Sequence, residues 1–164
     1  MSKLTSGRLL LPSVLDRLLD DEPENKREAA AGRNQILREL KKSVRRDLES
    51  LLNTRARNIV PAPELKELKQ SLVNYGIPDF TALPMQSAKE REDFCRLIQA
   101  VLKQFEPRFK TVKVVLLENT EKMDRTLRFR IDGMLHAEPA PEPIVFDSIL
   151  KPATESFEVK EVSG

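Results

Sequence analysis

The apolar residues of this chain change their period near residue 110, from about 3.6 to 2. A period of 3.6 lines up side chains on one face of a helix, whereas strict alternation lines them up on one face of a strand. A chain that carries the first pattern and then the second predicts helices followed by a sheet. Ile36, Leu37, Leu40, Val44, Leu48, Leu51 and Leu52 form the first stripe, with Arg, Lys and Glu between them. Asn53-Thr54 reads as its stop, and Pro61 and Pro63 mark a loop beyond. Leu65, Leu68, Leu72 and Val73 predict a shorter helix ending near Tyr75-Gly76, where Gly76 suits a left-handed conformation. Ile77-Pro78-Asp79-Phe80 reads as a turn. Ser87 and Glu90 have capping-box spacing, and Phe94, Leu97, Ile98, Val101, Leu102 and Phe105 form the third stripe. Pro107 closes it, because the residue before a proline is pushed out of the helical region.

Beyond that point Val112, Val114 and Leu116 alternate with Lys113 and Val115. Leu127, Phe129, Ile131 and Gly133 alternate with Arg128, Arg130 and Asp132. The polar stretch from Glu118 to Arg125 is long enough for an antiparallel hairpin connection. Ile144, Phe146 and Ser148 alternate with Val145, Asp147 and Ile149, and Phe157 with Val159 suggests a last short strand. The prolines between Ala137 and Pro143 read as an extended, rigid crossing. The expected fold is α+β, with N-terminal amphipathic helices packed on a small antiparallel sheet of three to four strands. Residues 35–164 read as one domain. Residues 1–34 read as a short helix (Val14, Leu15, Leu18 and Leu19 on one face, between Pro12-Ser13 and Pro23) followed by a flexible linker.

Charge and composition narrow the function. From Lys26 to Arg57 ten Lys or Arg stand against four acids, and from Ala137 onward two bases stand against six acids. A basic half of this kind suits nucleic acid or is simply a solvated helix face. Arg38, Lys41, Lys42, Arg45 and Arg46 form the basic face, without aromatic residues to stack on bases. No stretch approaches the ~18–20 apolar residues of a membrane span. Leu9, Leu10 and Leu11 stop at Pro12, unlike a secretory signal, and Cys95 stands alone without a disulfide partner. These features point to a cytosolic protein without a structural metal. The five glycines are scattered, so no phosphate-binding loop is expected.

His136, the one histidine, has no nucleophile marked beside it. Glu106 with Asp124 or Asp132 is a candidate pair for a hydrolase, although the chain has no Trp and one Tyr for stacking sugars. Glu106-Pro107-Arg108 stands between Phe105 and Phe109, which would anchor the segment in the core. Proline would hold a carboxylate and a guanidinium on a rigid corner suited to bidentate recognition of a partner group. The same three residues also fit a helix-terminal ion pair worth about 0–1 kcal/mol.

Five blocks occur in the order of a known family: Pro12-Ser13-Val14-Leu15-Asp16-Arg17-Leu18-Leu19-Asp20, the run Ser43 to Arg55, Asn74-Tyr75-Gly76-Ile77-Pro78-Asp79-Phe80, Phe105-Glu106-Pro107-Arg108, and Val145-Phe146-Asp147-Ser148. With these blocks the chain resembles the TssE family of type VI secretion baseplate subunits, related to the wedge protein of contractile phage tails. The resemblance implies a structural, cytoplasmic component of a hetero-oligomeric baseplate docked at a membrane, and not an enzyme. It implies TssF, TssG and TssK as partners in the wedge, and TssB with TssC as the sheath that grows on it. No cofactor, nucleic acid or membrane insertion belongs to this reading. The resemblance makes Glu106, Pro107 and Arg108 the partner-binding signature, with Arg45, Arg46 and Arg55 beside it. It also implies that the sheath joins by strand exchange on a free sheet edge, so that the sheet, in which a strand such as Leu127 to Leu135 alternates cleanly, acts as the first template.

Overall fold

The computed structural model describes residues 32–57, 71–79, 87–117, 126–137, 140–151 and 156–162, with positions 18, 62, 64, 65, 67, 68 and 154. The short helix and linker expected over residues 1–34 lie almost wholly outside the described residues.

Helix α1 spans Arg33–Asn53 and buries Leu40, Ser43, Val44, Leu48, Leu51 and Leu52, the face its spacing predicts. It stops at Thr54, whose backbone turns extended while its Oγ1 donates to the Ser50 carbonyl at 2.7 Å. Helix α2 spans Ala88–Phe105 and buries Phe94, Cys95, Ile98 and Leu102. Both bonds of its capping box form: the Glu90 amide donates to Ser87 Oγ (3.2 Å) and the Ser87 amide to Glu90 Oε2 (2.8 Å).

Four strands follow, β1 (Phe109–Leu117), β2 (Leu127–Leu135), β3 (Glu142–Lys151) and β4 (Ser156–Glu161), antiparallel and hydrogen-bonded in chain order. Their alternation sends Val112, Val114, Phe129, Ile131, Ile144, Phe146, Phe157 and Val159 to one buried face. Helix α2 packs on β1 and α1 on β4, which gives two layers with a single core between them. Gly133 sits where a Cβ would lie 2.5 Å from the Phe109 ring, so this strand interior has room only for glycine. The opposite face carries Lys113, Asp132, Arg130 and Asp147, with Arg130 bonded across the strands to Asp147 at 3.0 Å.

Two expectations are corrected. Among the described residues from Leu65 to Tyr75 no α-helix forms: their amides bond three residues back, and Leu72–Asn74 is a single 3-10 turn. Leu65, Leu72 and Val73 are exposed, so the apolar spacing there had no core to face. The proline stretch from Ala137 is no crossing, because β3 returns directly beside β2. The strand Leu127 to Leu135 lies inside the sheet. As β2 it is paired on both sides, which leaves β1 and β4 as the edges.

One buried group stands out against this packing. The Ser148 hydroxyl is fully buried on the core face of β3 and has no hydrogen-bond partner. An unmade bond costs the hydroxyl its hydration, so Ser148→Ala should raise stability by about 1 kcal/mol in urea denaturation. A loss of stability would show that the hydroxyl is satisfied.

Candidate functional site

Pro107 decides the local geometry of the Glu-Pro-Arg segment. It ends α2 by forcing Glu106 to φ −118° and ψ 83°, and it takes the second position of a turn closed by the Phe109 amide on the Glu106 carbonyl (3.2 Å). Arg108, third in the turn, folds back on Glu106. Its Nε donates to Glu106 Oε1 at 2.7 Å, its Nη2 to Oε2, and its backbone amide again to Oε1 at 3.1 Å. The bidentate partner of this guanidinium is therefore the chain's own carboxylate.

Two further bonds tie the turn to α1. Arg108 Nη1 donates to Ser43 Oγ (2.9 Å) and Nη2 to Asp47 Oδ2 (2.6 Å). The Arg108 side chain is 19% exposed and that of Glu106 only 5%. Burial works against the guanidinium charge, but the hydrogen bonds and charges of Glu106 and Asp47 outweigh it and raise its pKa above the ordinary value. Arg46 reaches the other oxygen of Asp47 at 3.1 Å, so Arg46, Asp47, Arg108 and Glu106 form a line of alternating charge.

Tyr75 borders this corner, edge-on to Phe105 with ring centroids 5.4 Å apart. Gly76 (φ 112°) and Ile77 hold it there, the latter through two backbone bonds of 2.9 Å with Thr54 and Ala56 beyond the end of α1. Burial raises the Tyr75 phenol pKa and the Asp47 charge adds to this; a hydrogen bond with Ser50 offsets part, and Glu106 pushes upward again. A raised acid pKa contributes stability below the unfolded value of 10 and loses it as pH rises through the folded value. Tyr75 is the one tyrosine, so an alkaline absorbance titration should place its midpoint above 10, with Asp47→Asn lowering it. A midpoint at 10 would separate the phenol from this corner.

The structure thus brings together Glu106, Pro107, Arg108 and Arg46, with Pro107 exposed at the apex. Arg45 turns elsewhere, to Glu49 (3.1 Å) and toward the Val159 carbonyl (3.5 Å) on β4. Arg55 lies past the helix end, bridged to Ile77. Sequence reading missed Ser43, Asp47, Ser50 and Tyr75 as site residues. Their signal was a polar line at i, i+4 and i+7 along α1, beside the apolar stripe of Val44, Leu48 and Leu51.

The other candidates do not assemble. Both Glu106 oxygens are taken by Arg108, and Asp132 projects from the opposite face of the sheet, so these carboxylates do not form a cleft. Asp124 lies outside the described residues. Burial and the Glu92 charge raise the Cys95 thiol pKa, which keeps it protonated in the core. Among the described residues no three His, Cys, Asp or Glu converge on a metal position, and no helix is long and apolar enough to cross a membrane.

Comparison with known proteins places this architecture. No curated protein matches the chain. Among solved structures it is similar to a chain of the baseplate complex from the type VI secretion system, at 19% identity and a TM-score of 0.46, covering 77% of this chain and 97% of that one. The model of the baseplate wedge protein gp25 family matches residues 38–140, from within α1 through the Glu106 corner to the loop after β2. By that match the chain belongs to the gp25 family of baseplate wedge proteins.

Proposed function

We propose that this chain is the TssE-like wedge subunit of a type VI secretion baseplate, holding TssF and TssG beside TssK and seeding the TssB and TssC sheath by strand exchange. The observation that carries the reading is the family match across the whole Glu-Pro-Arg corner. The corner offers a partner the exposed Pro107 and the half-exposed Arg46, while the bonds described occupy four of the five guanidinium N–H groups of Arg108. Arg45 and Arg55 lie along and just past the same helix and extend the basic rim. The assembly works at the cytoplasmic side of a membrane without inserting into it, and uses neither cofactor nor nucleic acid.

Co-expression with TssF and TssG followed by affinity capture tests this, with wild type compared against Arg46→Glu. Wild type should retain both partners, and the charge reversal should reduce capture about ten-fold or more while the circular dichroism stays unchanged. A folded wild type that captures neither partner would sink the wedge reading. Equal capture by Arg46→Glu would remove the corner from the contact.

A further inference from the structure

The two edges of the sheet are closed to different degrees. On β4 the outward-facing backbone groups belong to Phe157, Val159 and Glu161, because the alternate residues bond to β3, as Val162 does to Val145 at 3.0 Å. Helix α1 covers both groups of Phe157 and reaches the Val159 carbonyl with side chains. Asn53 Nδ2 donates to the Phe157 carbonyl (2.9 Å) and the Phe157 amide donates to Asn53 Oδ1 (2.9 Å), so one amide side chain stands where a fifth strand would pair. The same Nδ2 is fixed to the helix by the Glu49 carbonyl at 2.8 Å, and Arg45 approaches the Val159 carbonyl.

The β1 edge is longer and more open. Among the described residues one contact guards it: the Val114 amide donates to Gln99 Oε1 of α2 at 3.1 Å. A bulge between Phe109 and Thr111 interrupts pairing at its start, which leaves Thr111 to Leu117 regular. On both edges the core-facing side chains are buried (Val112 and Val114 on β1, Phe157 and Val159 on β4), so the difference between them lies in strand length and in how many backbone groups the helices cover.

Resting on the reading of the sheet as a sheath template, we infer that the incoming strand adds to β1 over Thr111 to Leu117, and that Gln99 is a latch it displaces. The carbonyl of the arriving strand takes the Val114 amide from Gln99. Side-chain chemistry defines the occupant further. Lys113 has Asp132 as its cross-strand neighbour on β2, so an acidic residue placed opposite Lys113 on the new strand continues the row of alternating charge. Val115 and Leu117 call for apolar neighbours on the same face. The partner is therefore an extended segment of a sheath subunit that carries one acid and apolar residues at alternate positions on the same face.

Photocrosslinking on the full chain tests the assignment. p-Benzoylphenylalanine replaces Lys113 on β1 or Lys160 on β4, both exposed, and the purified TssB/TssC pair is the probe. An adduct from position 113 with none from 160 is the expected result. An adduct from 160, alone or with 113, overturns the assignment and leaves strand exchange standing. Adducts from neither, on folded protein, remove the strand-exchange reading itself. Gln99→Ala should bind the pair about five-fold more tightly, because one competing hydrogen bond is gone. Unchanged affinity would overturn the latch.

Discussion

Arg108→Ala is expected to lose about 3–5 kcal/mol of folding stability, the range found when one partner of a buried ion pair is removed. The Glu106 side chain is 5% exposed, and its oxygens accept from the Arg108 backbone, Nε and Nη2. Truncation strands that carboxylate beside Asp47 and removes the bond from Arg108 to Ser43. Removing both charges together, as in Glu106→Gln with Arg108→Met, should restore most of the loss, because no buried charge then remains unpaired. Urea denaturation of the wild type and both variants measures the difference. A loss below about 1 kcal/mol in the single variant would return the pair to the class of surface ion pairs. A pull-down that fails with Arg108→Ala would thus report unfolding as readily as lost docking, which is why Arg46 is the better probe of contact.

Gly76→Ala should be comparably damaging, at about 3–5 kcal/mol, for a purely steric reason. The backbone there has φ 112°, a strain of about 1–3 kcal/mol for a residue with a side chain. A Cβ would also meet the Thr54 carbonyl oxygen at 2.5 Å and the Ala56 nitrogen at 2.9 Å. These are backbone atoms of the Ile77 bridge, so the conflict adds an overpacking cost of similar size. The chain has one tyrosine and no tryptophan, so its intrinsic emission reports on Tyr75 alone. Thermal unfolding followed by that emission should show a lowered midpoint in the variant. An unchanged midpoint would mean that the loop yields without cost.

Much of this fold was legible because two periods and a few local start and stop signals speak for themselves. The stripes of α1 and α2, the Ser87 capping box and the termination at Pro107 depend on neighbours within a few residues, and all are present. Leu65 to Val73 misled because its spacing copies a helical stripe, yet Leu65, Leu72 and Val73 stay exposed, and packing decides most short helices. Strand order was not legible at all. Period 2 identifies a half-buried strand and says nothing about its neighbours, so the central place of Leu127–Leu135 and the edge places of β1 and β4 come from the structure alone. At the corner, the sequence placed Glu106 and Arg108 on a rigid turn. That Arg108 folds back to its own Glu106 and to Asp47, 61 residues away, depends on how α1 crosses the turn.

Asn53 has a consequence for the company the chain keeps with its own kind. Head-to-tail stacking of identical sheets into an open fibre requires two free, complementary borders on every subunit. With the start of one border stitched to α1, regular extension of the sheet from copy to copy is left to β1, and a β1-to-β1 meeting ends at a pair. Asn53 therefore guards against self-propagating aggregation in a molecule that presents an unpaired strand.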